Sequence, residues 1–194
     1  MVNSRPNTPV LVLAAGASRR MGRAKQLLGW GRGCLLDQAI GLARVLSPEV
    51  FVVGGARYPL VRYRCKAPVS GWVYAHDWSQ GLSASLKAGV SALPGRSCGV
   101  FVMVADQPLL SVDGLRALAE AARTTPDQPL AASYGNRPGV PAYLPRWVWP
   151  QVMALEGDQG AGVILRDVRA RRIRIAGVER DLDTPEDWRK LFEA

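Results

Sequence analysis

Short apolar runs alternate along the chain with longer segments of helical period. The apolar runs include PVLVLAAG (9–16), EVFVVGG (49–55) and GVFVMVAD (99–106), and LLDQAIGLARVL (35–46) and GLSASLKAGVSAL (81–93) have the helical pattern. Unbroken runs of branched apolar residues are typical of strands that are buried on both faces of a parallel sheet. The alternation of strands and helices therefore predicts an α/β protein with a mostly parallel sheet.

Two of these runs, VLVLAAG and VFVMVAD, are the best candidates for central strands. The first leads into a loop at Gly16, and the second ends at Asp106. Open α/β sheets bind their ligands in the crevice beyond the carboxyl ends of the strands. We therefore expect the functional site where these two strands end.

The pattern is looser after Asp106. SVDGLRALAEAAR predicts a helix whose N-cap is Ser111, and DTPEDWRKLF predicts a terminal helix with Thr184 at the cap and Pro185 at the first position. The segment RARRIRIAG indicates a late basic strand, whereas NRPGVPAYLPRW (136–147) is rich in proline and glycine. We interpret this second half of the chain as lid and acceptor-site material.

The length of 194 residues favours one compact domain over residues 1–194. Hydrophobic residues make up 48% of the chain and charged residues 21%, as in ordinary globular proteins. The net charge of +9 favours an anionic partner, and charge alone does not choose among phosphates, nucleic acids and acidic membranes. The N-terminus lacks the pattern of a signal peptide and no segment has membrane-spanning length, so we expect a cytoplasmic protein.

Few residues are suited to metal or nucleophilic catalysis. Cys34, Cys65 and Cys98 are far apart in the sequence and odd in number, so we expect neither a zinc knuckle nor a disulfide framework, but reduced thiols. His76 is the only histidine, which argues against most metal hydrolases and against Ser-His-Asp and Cys-His mechanisms. We interpret His76 as a structural side chain.

The loop between Gly16 and Lys25 combines small residues with cations and no acid. Glycine lets backbone N–H groups approach a ligand closely, and Arg19, Arg20, Arg23 and Lys25 bring positive charge. The glycine spacing matches neither the Walker A motif nor the dinucleotide fingerprint. A solvated basic turn is the alternative, but a position after a central strand and before a helix favours a phosphate-binding loop.

Several motifs occur together, in order, over nearly the whole chain. They are LAAGASRRMGRAK with KQLL, HDWSQGLSASLKAG, VADQP, GVP, GDQGA and DLDTPED. This set resembles the MobA-like nucleotidyltransferases, and most closely their molybdenum cofactor cytidylyltransferase (MocA-like) branch. The resemblance implies a three-layer, Rossmann-like nucleotidyltransferase fold of the GT-A-like kind, with a nucleotide-binding half at about 8–110 and an acceptor-site half at about 111–194.

The resemblance also implies a reaction. CMP would pass from Mg-CTP to the phosphate of molybdopterin, with pyrophosphate as the leaving group, and a molybdoenzyme would be the client for the product. In this family pattern, the nucleotide would be held by the backbone of the glycine loop, by two cations that neutralise the phosphates, and by two residues near the ribose or base. These positions are Leu13, Ala14, Ala15 and Gly16; Arg20 and Lys25; and Gly81 and Ser83.

Asp106 and Asp183 would bind Mg²⁺ in the same pattern. A carboxylate at the end of a buried strand is costly unless a cation neutralises it, which agrees with a metal at Asp106. The two aspartates are 183 − 106 = 77 positions apart, so the sequence leaves alternatives: a helix-entry role for Asp183 and an Asx-type turn before Pro108 for Asp106. An anionic phosphate monoester needs no general base, so a catalytic histidine is unnecessary.

Some positions depart from the branch pattern or leave two interpretations open. Gly162 stands where the GDxGA motif is usually followed by arginine, and Arg166, four positions later, could substitute for it. The cluster Arg169, Arg171, Arg172 and Arg174 suits a solvated edge strand better than a nucleic-acid surface. Trp147 and Trp149 suit packing better than stacking on a pterin.

The nucleotide is the least certain part of the implied reaction. Ala15 would place a methyl group beneath the base where GTP-using relatives have glycine, which favours CTP. The alternatives are a transferase that uses GTP or another acceptor, an NAD(P)-dependent reductase, and a non-catalytic cofactor chaperone. We expect neither nucleic acid nor a membrane as a partner.

Overall fold

The computed structural model describes residues 8–191. Its strands, numbered along the chain, are β1 (Val10–Ala14), β2 (Gly29–Trp30), β3 (Gly33–Cys34), β4 (Val50–Gly54), β5 (Gly71–Tyr74), β6 (Gly99–Val104), β7 (Leu130–Tyr134), β8 (Arg137–Pro145) and β9 (Arg171–Ile173). The α-helices are α1 (Leu35–Leu46), α2 (Tyr58–Arg64), α3 (Leu82–Ser91), α4 (Val112–Thr124), α5 (Trp149–Met153), α6 (Ala161–Asp167) and α7 (Pro185–Lys190). No helix in this part of the chain is both long enough and apolar enough to span a bilayer.

Within residues 8–191, seven strands form one sheet in the order β5-β4-β1-β6-β8-β7-β9. Strands β5, β4, β1 and β6 are parallel, and β8 is antiparallel to both of its neighbours. The remaining pair, β7 and β9, is parallel. The sequence prediction of an α/β fold with a mostly parallel sheet is confirmed, with β1 and β6 side by side at its centre.

Strand β1 shows why the apolar runs are unbroken. Its alternate residues belong to different cores: Val10, Val12 and Ala14 pack on one face of the sheet, and Leu11 and Leu13 on the other. Helices α1 and α4 cover the first face, and α3, α5 and α6 cover the second. The result is the three-layer arrangement that the family resemblance implied.

The proline-rich segment 136–147 differs from the prediction of a lid. Most of it forms β8, which pairs with both β6 and β7 inside the sheet. Proline cannot donate a ladder hydrogen bond, but Pro138 and Pro145 lie near the two ends of β8, and Pro141 lies where the β7–β8 register shifts between Ala131 and Ala132. The bulge therefore accommodates a proline in a buried strand.

Two predicted helix starts are confirmed. The hydroxyl of Ser111 accepts from the backbone N–H of Gly114 at the start of α4. Thr184 and Asp187 form a reciprocal capping box at the start of α7, with Pro185 at its first turn. The predicted basic strand is also present as β9, at the edge of the sheet, with Arg171 and Arg172 exposed.

Candidate active site

A cavity of about 540 Å³ opens at the carboxyl ends of β1 and β6. The strand order reverses at this point, because β4 lies on one side of β1 and β6 on the other. The wall consists of the glycine loop, the ends of the two central strands, and the loops before α3 and α6. The lining residues are Leu13 to Arg20, Lys25, Gln26, Trp78, Ser79, Gly81, Leu82, Ser85, Val104 to Asp106, and Asp158.

Gln26 holds the glycine loop in place. Its side chain is 2% exposed, and its amide nitrogen donates to the carbonyl oxygens of Ala14 and Gly16, each at 2.9 Å. Ser18 contributes a second link, since its hydroxyl donates to Oε1 of Gln26 at 3.4 Å and accepts from the backbone N–H of Lys25 at 3.2 Å. These bonds set the turn that presents Lys25 to the cavity.

Lys25 joins the two predicted metal ligands. Its Nζ lies 2.5 Å from Oδ2 of Asp106 and 2.9 Å from Oδ1 of Asp183. Arg20 donates to the other oxygen of Asp183 at 2.7 Å. Asp106 and Asp183, which lie 77 positions apart in the sequence, thus both contact Lys25. Arg20, the other predicted phosphate-binding cation, contacts Asp183.

This cluster is partly buried, and the charges perturb one another. Burial alone lowers the pKa of Lys25, but the charges and hydrogen bonds of Asp106 and Asp183 outweigh it, so the pKa is raised. Burial raises the pKa of Asp183, but the hydrogen bond and charge of Lys25 and the charge of Arg20 outweigh it, so that pKa is lowered. Lys25 and Asp183 are therefore both charged at neutral pH.

The donor set at this cluster fits a divalent cation. Oδ1 of Asp106 is a buried carboxylate oxygen without a hydrogen-bond partner, and such an atom is costly unless a cation or water satisfies it. The carboxylate of Asp183 is 33% exposed and faces the same cation as Asp106. Oxygen donors from one or two carboxylates are what Mg²⁺ and Mn²⁺ take from proteins that bind metal-nucleotide complexes.

Asp183 owes its position to α7. It is the residue before the Thr184 cap, and its backbone N–H donates to Oδ2 of Asp187 at 3.1 Å. The side chain is left free to reach Lys25 and Arg20. The helix-entry role and the charged-site role therefore coexist in one residue.

Gly81 is required by a close backbone approach. Its φ is +120°, and a Cβ there would lie 2.3 Å from the carbonyl oxygen of Gly157. The backbone N–H of Ser83 donates to the same oxygen at 3.1 Å. These contacts join the GLSAS and GDQGA motifs and bring Asp158 to the cavity rim.

The structure separates the two predicted residues of this loop. Gly81 lines the cavity, whereas Ser83 is 3% exposed and is absent from the cavity wall. Ser85, two residues later in α3, lines the cavity instead. Leu13, Ala14, Ala15 and Gly16 all line it.

The methyl group of Ala15 packs against Gly55, which differs from the expected position beneath a base. Ala15 is 4% exposed, and its Cβ lies 2.8 Å from where a Cβ of Gly55 would stand. The side chain of Trp78 lies close to the same position of Gly55. The steric argument for a pyrimidine base beneath Ala15 is therefore weakened, although the residue lines the cavity.

The remaining aromatic residues have local partners. The indole N–H of Trp147 donates to the carbonyl of Asp127, and that of Trp149 to the carbonyl of Leu144. Arg146 lies over the Trp149 ring at 4.9 Å. His76 packs against the Tyr74 ring at 4.6 Å. These contacts favour the packing interpretations.

Gly162 and Arg166 both lie in α6, outside the set of residues that line the cavity. A Cβ at Gly162 would meet the carbonyl oxygen of Pro138 at 3.6 Å, an ordinary contact, so the backbone would accept a side chain. Arg166 is exposed. Its role as a substitute stays a prediction.

Sequence reasoning singled out only part of the cavity wall; the lining residues that it left out include Gln26, Trp78, Ser85 and Asp158. Gln26 carried a weak signal, because a polar residue stands between Lys25 and the apolar pair Leu27-Leu28. The other three lie inside quoted motifs, but only the fold shows which members of a motif face the cavity.

Comparisons with known proteins agree with this geometry. The family profile of the MobA-like NTP transferase domain matches residues 10–174. The chain is 28% identical over 182 residues to the molybdenum cofactor cytidylyltransferase of Escherichia coli K12, covering 92% of each chain. It is 34% identical over 166 residues to the nicotine blue oxidoreductase of Paenarthrobacter nicotinovorans, covering 80% of each.

Solved structures give the same result. The Rv0371c protein of Mycobacterium tuberculosis H37Rv superposes with a TM-score of 0.86 at 27% identity, over 98% of this chain and 100% of that one. A complex of that protein with manganese superposes with a TM-score of 0.81 at 25% identity, over the same shares of the two chains. The profile match over most of the chain, with the fold and the motifs at the cavity, shows that this chain is an enzyme of the MobA-like nucleotidyltransferase family.

Proposed function

We propose that the protein transfers CMP from Mg-CTP to the phosphate of molybdopterin and releases pyrophosphate. The observation that carries the proposal is the cluster in which Lys25 joins Asp106 and Asp183 beside the glycine loop. The match to a molybdenum cofactor cytidylyltransferase over 92% of both chains supports the choice of nucleotide and acceptor. A molybdoenzyme would then receive the product.

The loop from Leu13 to Gly16 would bind the triphosphate through backbone N–H groups, as glycine loops at strand ends commonly do. Arg20 and Lys25 would exchange their present carboxylate partners for phosphate oxygens. Both are cations, and charge-assisted hydrogen bonds to phosphate are stronger than neutral ones. Gly81 and Ser85 would contact the sugar or base, and Ser83 would support the loop from beneath.

Asp106 and Asp183 would hold Mg²⁺, which when bound neutralises the charge that builds up between the α-phosphate and the leaving pyrophosphate. The buried, unpartnered Oδ1 of Asp106 and the 2.9 Å contact of Asp183 with a cation support this assignment. The protein's own residues then only have to orient the two substrates. The acceptor phosphate is already an anion at neutral pH, so no side chain must remove its proton.

The test is pyrophosphate release from CTP and molybdopterin, measured for the wild type and for variants of the loop. We expect Arg20→Ala and Lys25→Ala each to weaken Mg-CTP binding about 10- to 100-fold, since a charge-assisted hydrogen bond contributes about 1.5 to 3 kcal/mol. Arg23→Ala is the matched control, because Arg23 is an exposed cation of the same loop outside the cavity wall. Equal CTP affinity in all four proteins would contradict the phosphate-loop assignment.

Asp106→Asn tests the metal assignment separately. We expect a folded protein that has lost metal-dependent turnover, because an amide is a poorer ligand than a carboxylate. Circular dichroism would establish the fold, and turnover at increasing Mg²⁺ would establish the activity. A folded, fully active variant would contradict the role of Asp106.

We further propose that CTP is preferred over GTP at least tenfold in kcat/KM, which corresponds to about 1.4 kcal/mol. The methyl of Ala15 packs against Gly55, so the steric argument for a pyrimidine base is weakened. The support for CTP comes instead from the cytidylyltransferase relative. Steady-state kinetics with both triphosphates decides it. A GTP preference would leave the transferase assignment in place and change the branch.

An NAD(P)-dependent reductase is the second candidate, favoured by one observation: the 34% identity to a nicotine blue oxidoreductase. The clustered Lys25, Asp106 and Asp183 argue for the transferase, because hydride transfer requires no metal-triphosphate site. Oxidation of NADPH in the presence of a quinoid dye, without pyrophosphate release from CTP, would reverse the order of the two candidates.

A further inference from the structure

A second cluster of reactive side chains lies away from the cavity, where the start of α1 meets the end of α2. Cys34 is the residue before α1, and Cys65 is the residue after α2. Their sulfur atoms and a carboxylate oxygen of Asp37 lie within 4.8 Å of one another. Within residues 8–191, this is the one group of three or more His, Cys, Asp or Glu side chains spaced closely enough to share an ion.

Although 65 − 34 = 31 positions separate the two cysteines in the sequence, the fold brings them together. The prediction of reduced thiols holds, since all three cysteines are free in the structure, but their spacing along the chain gave no sign that these two are neighbours. Cys98, the third cysteine, is exposed and donates its thiol to the carbonyl oxygen of Arg96 at 3.8 Å. It is not a member of the cluster.

Asp37 is already saturated by the protein. Its Oδ1 accepts from the backbone N–H groups of Lys66 and Ala67 at 2.8 and 2.7 Å and from the Cys65 thiol at 3.1 Å. Its Oδ2 accepts from the backbone N–H of Cys34 at 2.9 Å. A metal ion at Asp37 would have to face these N–H dipoles, which makes the carboxylate a clamp on the two segments rather than a metal ligand.

The two thiols are placed to react with each other. The interaction between the two thiols lowers the pKa of Cys34 and raises that of Cys65. Both residues have extended backbone at helix ends, and their sulfur atoms already lie within 4.8 Å of each other, so side-chain rotation with small backbone shifts would bring them to bonding distance. Cys65 is partly exposed, which gives a small oxidant access.

We propose that Cys34 and Cys65 form a redox-active dithiol site that peroxides oxidise to an intramolecular disulfide. One thiolate attacks an oxygen of the peroxide, the O–O bond breaks, and a sulfenic acid and hydroxide form. The second thiol then attacks this sulfur: the S–S bond forms, the S–O bond breaks, and the oxygen leaves as water. The two thiols lose two electrons, and hydrogen peroxide is reduced to two molecules of water.

The experiment uses the full chain with Cys98→Ser, so that only the pair can react. The protein is treated with one equivalent of hydrogen peroxide, unfolded, and titrated for free thiols, and its intact mass and tryptic peptides are measured. We expect the free thiols to fall from two per chain to near zero, with a mass loss of two hydrogen atoms and a single peptide pair joined through Cys34 and Cys65. Dithiothreitol should restore both thiols.

Cys34→Ser and Cys65→Ser in the same background are the matched controls, since each keeps one thiol in an unchanged fold. They should gain oxygen or form dimers between chains, without losing two hydrogen atoms. The proposal is overturned if both thiols of the Cys98→Ser protein survive oxidation, or if each gains oxygen without a crosslink. It is also overturned if the protein as isolated holds stoichiometric zinc that Cys65→Ser lacks.

Discussion

Gln26 offers the sharpest test of how the glycine loop is held. Gln26→Leu keeps a side chain of similar size but removes the donor to the carbonyl oxygens of Ala14 and Gly16, both at 2.9 Å. The carbonyl of Ala14 is buried, so its loss of a partner costs about 1 to 3 kcal/mol, and that of Gly16, in an exposed residue, costs about 0.5 to 1.5 kcal/mol. The two losses amount to about 1.5 to 4.5 kcal/mol and the apolar gain of leucine offsets part of them, so we expect a net destabilisation of about 1 to 4 kcal/mol.

Urea unfolding, with thermal unfolding in support, measures this effect. For a chain of this length each kcal/mol lowers Tm by about 2 to 4 °C, so a loss of about 2 to 16 °C is expected. Gln38→Leu is the matched control, because Gln38 is partly buried and donates one hydrogen bond, to the carbonyl of Pro108 at 3.1 Å. We expect it to cost about 0.5 to 1.5 kcal/mol. If Gln26→Leu cost no more than Gln38→Leu, the loop would not depend on Gln26 and the reasoning would be refuted.

Two further predictions concern positions where one substitution has a matched partner of different outcome. Asp37→Asn should destabilise the protein by about 1.5 to 3 kcal/mol at neutral pH, because the carboxylate accepts charge-assisted hydrogen bonds from three backbone N–H groups. The matched control is Asp113→Asn, at an exposed ion pair, which should cost under about 1 kcal/mol. Burial raises the pKa of Asp37, but hydrogen bonds from the backbone N–H groups of Ala67 and Cys34 and from the cysteine side chains outweigh it, so the pKa is lowered. The stabilisation is therefore present above a pH of about 4 and is lost as the pH falls. Urea midpoints of wild type and Asp37→Asn should approach each other from pH 7 to pH 3, and parallel curves would disprove the linkage. Gly81→Ala should lower the free energy of unfolding by at least about 1 to 3 kcal/mol, because φ is +120° and the methyl would collide with Gly157. Gly41→Ala, in an open helical position, should raise it by about 0.5 to 1 kcal/mol. Shifts of Tm with the same sign in calorimetry would contradict this contrast.

Local patterns predicted the elements whose causes are local. The apolar runs identified β1 and β6, because strands covered on both faces have no polar alternation. The caps at Ser111 and Thr184 were predictable, because a cap is an interaction between residues three positions apart. The cationic loop was likewise recognisable from its composition, and its cations Arg20 and Lys25 line the cavity.

What the sequence did not reveal depends on contacts between distant segments. A proline-rich segment looks like a loop until the bulge that accommodates Pro141 is known. Gln26 gains its importance from carbonyl oxygens 10 and 12 positions away. Cys34 and Cys65 become neighbours only in the fold, where Asp37 of α1 accepts hydrogen bonds from the segment that follows α2. The direction of the Ala15 methyl was equally hidden, because Gly55 and Trp78 come from other strands and loops.

The contact between Lys25 and Asp183 spans 158 positions, and this has a consequence for how the protein is made. At a synthesis rate of about 5 to 20 residues per second, Asp183 is added about 8 to 30 s after Lys25. Asp106, which lies 81 positions after Lys25, is added about halfway through that interval, and Lys25 can pair with it from then on. A nascent chain can therefore assemble the central strands before the second carboxylate that contacts Lys25 has been added.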